Sequence, residues 1–403
     1  MYPLRLLKYG SRVFYKRGMM PLYMIHFITE NCNANCFHCL CGYHAHWERN
    51  ELSIDEIERF SRGLGDLLFV FLTGGEPFLR DDIAEIAKIY YKNNQVKKFQ
   101  IPSNGSLTDR ILQRTEEIVR ACPKAHIGVT ISLDGVGELH DRERNFKGLF
   151  DRCVATCRGL GEIAARYRNF GLNATTCVTR LNQDHLPELF DVVVNELGIR
   201  NYFNTLVRGV PADPRAMAID IEKFAALSRQ QDAALLSGRA PGYADFVGAD
   251  FVNAKNLLSR TLIARTYREN RCLLKCHTAK LSFVLRSTGQ IFPCELLNKP
   301  MGNLRDVNYD FRKIWYSARA DEIRRFIRDT KCFCTHECFV TLNILFSPWQ
   351  WPRLLRKWAA IKLGRLRRRL GGSGDRPPPA RPEASPPAAA RETEAVVGSR
   401  VGR

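Results

Sequence analysis

The chain has 403 residues, 45% of them hydrophobic, and a formal charge of +19, enough for one large globular domain plus a smaller one, or for two ordinary domains. It holds no run of about eighteen apolar residues that would span a membrane, and its N-terminus lacks the apolar core and small-residue cleavage site of a secretory signal. Fourteen cysteines without an export signal argue against a disulfide framework and for metal ligands or unpaired thiols in a reducing compartment, so the cytoplasm is the expected location.

Residues 1–22 are basic and aromatic, with Arg5, Lys8, Arg12 and Lys16 at helical spacing on one stripe. Between 23 and 210, strand-like runs at 23–29, 67–73, 98–102, 125–133, 171–179 and 201–206 alternate with helical patterns. One helix is predicted from Ser53, whose capping box is completed by Glu56. A second follows Asp81 and Asp82 through Ile83, Ile86, Ala87 and Tyr90, and a third begins near Thr108. Alternating strands and helices predict an α/β fold of parallel units. Six units fit, fewer than the eight of a closed barrel, so a partial (β/α)6 TIM-like barrel is expected. Residues 211–271 read as a helical linker, 272–345 as a small cysteine-rich α+β domain, 346–370 as a basic amphipathic helix, and 371–403 as a disordered low-complexity tail.

Directly after the first predicted strand, Cys32, Cys36 and Cys39 follow C-x3-C-x2-C. Three thiolates so placed could hold three irons of a cubane, leaving one iron open, because four cysteines normally fill such a cluster. Zinc is the competing metal, with Cys41 or His38 as a fourth ligand. After the second strand, Gly74, Gly75, Glu76 and Pro77 reach the same rim. There the glycines permit close approach of a ligand, and Glu76 offers a charge for an ammonium group.

The two motifs in this order resemble the radical S-adenosylmethionine (radical SAM) superfamily over roughly residues 23 to 210. The resemblance implies a [4Fe–4S] cluster on Cys32, Cys36 and Cys39 whose open iron takes the amino and carboxylate groups of SAM. One electron would cleave SAM to methionine and a hydrogen-abstracting 5′-deoxyadenosyl radical. Gly74, Gly75 and Glu76 would hold the methionine amino group, and His38 would sit beside the adenine rather than bind metal. Ser103 and Asn104 after the third strand, and Ser132 and Asp134 after the fourth, match positions that contact ribose and carboxylate, although each is also a turn former. Cys41 lies outside the motif and reads as an unpaired thiol. Arg208, after the sixth strand, could pair with a carboxylate but reads first as a surface arginine.

Cys272, Cys276 and Cys294, with Gly289 in C-x12-G-x4-C, are followed by Cys332, Cys334 and Cys338. A strand pair turning at Gly289 would bring Cys276 and Cys294 near each other. The group resembles the C-terminal SPASM or twitch extension of radical SAM enzymes, which implies at least one auxiliary [4Fe–4S] cluster. Its firmest ligands would be Cys276, Cys294 and Cys338, with Cys272, Cys332 or Cys334 as the fourth. A zinc ribbon is the alternative, since four thiolates suit zinc equally well. Cys122, Cys153, Cys157 and Cys177 fall inside predicted elements, where buried, inert cysteine is the default.

In the basic helix, Trp351, Leu354, Leu355, Trp358 and Ile361 form an apolar face opposite Arg353, Arg356 and Lys357, the pattern of an interfacial helix. Peripheral contact with the inner membrane face is one reading and a helix packed on the barrel is the other. The resemblance implies an oxidoreductase or maturase served by a reductant such as flavodoxin or ferredoxin, acting on a peptide, sugar or lipid-linked substrate. An RNA-modifying radical enzyme and a non-enzymatic iron–sulfur or zinc protein are the alternatives. No recognisable RNA-binding module supports nucleic acid as a partner. No catalytic residue is assigned; Cys177 is the one candidate to quench a substrate radical.

Overall fold

The computed structural model describes residues 19–40, 50–238, 242–243 and 248–370. The basic stripe expected at 1–18, Cys41 and the tail 371–403 lie outside these residues.

Six strands, β1 (Tyr23–Thr29), β2 (Phe69–Gly74), β3 (Lys98–Ser103), β4 (His126–Ser132), β5 (Phe170–Val178) and β6 (Asn201–Leu206), form a parallel sheet in which every neighbour is consecutive in sequence. Between them run α1 (Ile54–Arg62), α2 (Ile83–Asn94), α3 (Thr108–Ala121), α4 (Glu138–Arg144), α5 (Leu149–Arg166) and α6 (Leu186–Asp191). The α1 start carries the expected capping box: Glu56 N–H donates to Ser53 Oγ at 3.2 Å, and Ser53 N–H to Glu56 Oε2 at 2.8 Å.

Side chains alternate across each strand. Met24 and Ile28 of β1, Val70 and Leu72 of β2, and Phe99 and Ile101 of β3 join the main core with the helices. Tyr23, Ile25 and Phe27 point to the other, concave face. β1 is buried along its whole length, as expected of a parallel strand covered on both faces.

After β6 come α7 (Ile221–Ser237) and α8 (Ala249–Glu269), then β7 (Ser282–Leu285), β8 (Gln290–Phe292) and β9 (Gly302–Asn303). β7 pairs in parallel with β1, Tyr23 opposite Ser282, while β8 and β9 add antiparallel strands beyond it. The sheet is therefore open, nine strands wide, with β6 and β9 at its edges. The strand pair expected around Gly289 is β7 and β8, and Gly289 takes a φ of +89° in the turn. α9 (Phe311–Trp315) and α10 (Ala318–Asp329) follow. α11 (Glu337–Leu345) then covers the concave face, where Phe339 and Leu342 pack with Tyr23, Ile25 and Phe27.

α12 (Trp351–Leu370) lies along α8. Asp250 at the start of α8 accepts Lys362 and Arg365, each at 2.8 Å. This corrects the single apolar face read from the sequence: Leu354 and Ile361 are buried against the protein, whereas Trp351, Leu355 and Trp358 stay exposed. No helix among the described residues is long and apolar enough to cross a membrane.

Candidate active site

The loop after β1 carries Cys32, Cys36 and Cys39 and is tied to the ends of the neighbouring strands. Glu51 Oε1 accepts Thr29 Oγ1 at 2.5 Å and the Glu30 N–H at 3.2 Å. Arg80 donates to the carbonyls of Ile28 (2.8 Å) and Leu52 (2.7 Å). Asn33 Oδ1 accepts Asn104 Nδ2 at 2.8 Å, which fastens the loop to the end of β3. The Phe37 N–H donates to the Glu143 carbonyl, and the Phe37 carbonyl accepts the Asp213 N–H. Gly74 and Gly75 serve this packing. A Cβ on Gly75 would stand 2.1 Å from the Asn31 oxygen, and one on Gly74 would stand 1.9 Å from the Thr29 oxygen. The close approach that these glycines permit is by the chain's own cysteine loop.

Glu76 is fully buried. Its Oε1 accepts the Phe78 N–H (3.1 Å) and Ser103 Oγ (3.0 Å), and its Oε2 accepts the Asn104 N–H (2.7 Å). Burial pushes its carboxyl up to about 7 against those donors. Ser103 and Asn104 are buried with it. Ser103 Oγ also accepts the Gly105 N–H, and Asn104 Oδ1 the Ser106 N–H. Ser132 is half-buried at the end of β4.

Asp134 is the hub of the rim. Its Oδ2 accepts Arg144 Nε at 2.7 Å and lies 3.2 Å from His38 Nε2; its Oδ1 accepts the Cys177 N–H at 2.8 Å. Burial alone would raise this carboxyl, but Arg144 and then His38 outweigh it and hold it well below the usual range. Burial also pushes Glu143, beside His38, up to about 7, with the charge of Asp134 adding to the effect. Sequence reasoning singled out Asp134 but missed Arg144, Glu143 and His140, which a short helix folds back onto it. The signal was the dense charge of Asp141 to Arg144 so soon after a strand end.

Cys177 departs from the expectation of a buried, inert cysteine. Cys122, Cys153 and Cys157 are buried, but Cys177 is half-buried, and its thiol is pushed up by burial and then by Asp134. Arg208 is a second correction. It is not a surface residue, since only 19% of its side chain is exposed, and it faces Glu295 (3.5 Å) and Glu337 (3.7 Å). Those carboxylates come from beyond β8 and from the start of α11. The pairing was not legible because nothing local links residue 208 to residues 295 and 337.

None of the described cysteines is disulfide-bonded. In the second group, Cys294 is raised chiefly by burial, then by Cys276 and Cys332. Burial and the same neighbours, with Cys294, raise Cys334, and Cys332 feels Cys276 and Cys272. These five thiols are thus near enough for their charges to act on one another. Cys338 is raised by burial and by Glu337 and Glu295.

The donor chemistry fits iron–sulfur clusters. Among the described residues, the one group of ligand atoms all within 4.8 Å of one another is His336, Glu337 and Cys338. Cys32, Cys36 and Cys39 are thus spread more widely than the about 3.8 Å that tetrahedral thiolates 2.3 Å from one zinc would take. Burial pushes the Cys36 thiol up to about 11, with Arg144 opposing, so a thiolate here needs a cation beside it. His38 Nδ1 and Glu143 Oε1, buried on the same rim, have no hydrogen-bond partner, which fits a polar ligand next to the cysteine loop.

Comparison with known proteins agrees. Residues 27–193 match the radical SAM superfamily and residues 276–339 the SPASM iron–sulfur cluster-binding domain. The AdoMet-dependent heme synthase of Methanosarcina barkeri is 27% identical over 314 residues, 75% of this chain and 83% of that protein. Streptococcus suis SuiB bound to S-adenosylmethionine shares the fold at a TM-score of 0.55 and 17% identity, over 76% of this chain and 68% of that one. SuiB bound to its precursor peptide SuiA does so at 0.54 and 17%, over 80% and 70%. The chain therefore belongs to the radical SAM superfamily, with S-adenosylmethionine and [4Fe–4S] clusters as its cofactors, and carries a C-terminal SPASM domain.

Proposed function

We propose that this protein is a radical SAM oxidoreductase or maturase that takes a hydrogen atom from an organic substrate held on the concave rim of the open sheet. When bound at Cys32, Cys36 and Cys39, a reduced cubane supplies the electron that cleaves SAM into a hydrogen-abstracting radical. Every other role belongs to the chain's own side chains. Gly74, Gly75 and Glu76 pack the end of β2 against the cysteine loop and hold the methionine amino group. His38, kept in place by Asp134, faces the adenine. Ser103, Asn104, Ser132 and Asp134 order the rim for the ribose and carboxylate. Cys177, whose burial keeps its thiol protonated, holds an S–H hydrogen on that rim. Cys276, Cys294 and Cys338 are the firmest proposed ligands of the auxiliary cluster, with Cys272, Cys332 or Cys334 as the fourth. We assign residues 23–210 to the catalytic core, 211–271 to a linker and 272–345 to the auxiliary domain. A flavodoxin- or ferredoxin-like donor would supply the electron in the cytoplasm.

One observation supports this reading: the cysteine loop, Gly74–Glu76, Asn104 and Asp134 come from four different strand ends and are linked into one rim, Glu76 to Ser103 and Asn104, Asn104 to Asn33 of the loop, and His38 of the loop to Asp134. A peptide, sugar or lipid-linked molecule is the proposed substrate, and SuiB bound to SuiA supports a peptide. A tetrapyrrole is the second reading, favoured by a heme synthase that aligns over three quarters of the chain.

The test is anaerobic reconstitution of the wild type and of the Cys32/Cys36/Cys39→Ala variant, with iron, sulfide and 5′-deoxyadenosine measured under dithionite. The variant should lose one cubane, keep the auxiliary iron and form no 5′-deoxyadenosine. Wild type that binds zinc, or binds iron and never cleaves SAM, overturns the proposal.

A further inference from the structure

α12 presents two apolar faces, and the protein uses one of them. Leu354 and Ile361 are turned inward, and Lys362 and Arg365 clamp the helix to Asp250. On the outward side, Trp351, Leu355, Leu363 and Leu366 recur at near-helical spacing and are 42%, 52%, 55% and 49% exposed. Trp358 and Trp349 flank them at 37% and 58%. Isolated exposed apolar residues are ordinary, but a continuous stripe of them is not.

Beside the stripe, a groove of about 380 Å³ runs between α8 and α12. Leu258 and Leu262 contribute its apolar lining, and Arg265, Arg353, Arg356 and Lys357 supply four cations with no carboxylate among the lining residues. Arg265 is tied to Glu269 at 2.9 Å, and Asp232, which feels the charge of Lys357, accepts Arg260 Nε at 2.8 Å. From Trp349 to Leu370 the sequence holds no acidic residue. The segment thus joins outward tryptophan and leucine to a groove that is positive and partly apolar. That is the chemistry of an interfacial helix at an anionic lipid surface, where apolar insertion and charge act together and neither holds alone.

We propose that α12 and the α8–α12 groove dock this protein on a membrane rich in anionic phospholipid, with the outward stripe inserted among the acyl chains and Arg353, Arg356 and Lys357 on the phosphate headgroups. The docking is independent of cluster chemistry, so it stands or falls apart from the enzymatic reading.

The test is co-sedimentation of the full chain with vesicles of phosphatidylcholine alone or mixed with phosphatidylglycerol, at low and high salt, with tryptophan emission recorded alongside. Three of the five tryptophans lie in the segment from Trp349 to Trp358, so binding should shift emission to the blue. Wild type should bind only the mixed vesicles and release at high salt. Leu355/Leu363/Leu366→Glu and Arg353/Arg356/Lys357→Glu should each weaken binding by roughly a hundredfold, with thermal unfolding unchanged. Binding to neither vesicle overturns the proposal, as does wild-type binding by both variants, which would move the contact to another segment. A dimer in light scattering that the leucine variant dissolves, without vesicle binding, would make a second copy of the chain the occupant instead.

Discussion

The two cysteine groups are built in opposite ways. The first lies on one loop directly after β1, and its environment is supplied by the ends of β2, β3 and β4 through buried polar contacts: Glu76 to Ser103 and Asn104, and Asp134 to Arg144 and His38. The second runs from Cys272 to Cys338 around a hairpin and a helix start, with thiols from Cys272 to Cys334 whose charges act on one another. A local motif can be wired rigidly by its neighbours. A dispersed set depends on the metal it binds to fix its geometry, because no single segment carries enough contacts to do so.

Removing ligands should separate the two groups most sharply. Cys32/Cys36/Cys39→Ala leaves the Asp134 and Glu76 networks untouched, so the apo protein should unfold close to wild type while SAM cleavage falls to background. Cys276/Cys294→Ala should do the reverse, keeping SAM cleavage on the rim and lowering the resistance of residues 272–345 to limited proteolysis. Equal proteolytic sensitivity in both variants would erase the contrast.

The next largest effect is expected at Arg144. Its guanidinium is the main counterion of a fully buried carboxylate, and removing one partner of such a pair costs about 3–5 kcal/mol. Arg144→Met should lower the denaturation midpoint strongly, and adding Asp134→Asn should recover part of the loss, since the second change removes the stranded charge. A double variant no better than the single one would mean that Arg144 acts through packing rather than charge.

That contrast also sets what the sequence could reveal. The strands at 23–29 and 201–206 match their predicted limits, and the other four shift at their ends by one or two residues, because apolar alternation is a local property. Ser53 and Glu56 form their box because both members lie in one turn. C-x3-C-x2-C and the Gly-Gly-Glu turn were readable for the same reason. The pairing of β7 with β1 was not, since it joins residue 282 to residue 23, and neither were the counterions of Arg208. The face of α12 was half readable: periodicity found its apolar residues, but which of them turn inward depends on Asp250, about a hundred residues earlier.

Glu76 should give a smaller, pH-dependent effect. Its carboxyl ordinarily titrates near 4.5 and is raised to about 7 in the folded chain. Between those values the folded protein binds the proton and the unfolded chain does not. Its contribution is therefore complete below about pH 4.5 and is lost as pH rises through 7, by about 3 kcal/mol in all. The buried His140 and His277, each lowered to about 4, act in the opposite sense. The informative quantity is thus the difference between wild type and Glu76→Gln in urea unfolding at pH 5 and pH 8. The variant should lose less stability over that interval; parallel behaviour would place the Glu76 pKa near its ordinary value.

Arg208 tests whether the two regions are coupled at all. Its guanidinium, at the end of β6, reaches Glu337 at the start of α11 at 3.7 Å and Glu295 at 3.5 Å. These contacts are longer than a bidentate pair, so each is worth less than a buried ion pair at hydrogen-bond distance. In a double-mutant cycle of Arg208→Met and Glu337→Gln, the coupling should be about 1 kcal/mol. The sign matters as much as the size. Favourable coupling means that the catalytic rim and the auxiliary region hold each other through charge, so that a change in auxiliary ligation is felt at β6. Zero coupling would leave α11 held by its apolar packing and its other hydrogen bonds, such as Asn343 accepting the His277 N–H; the two cysteine groups would then share a sheet but not the Arg208–Glu337 link.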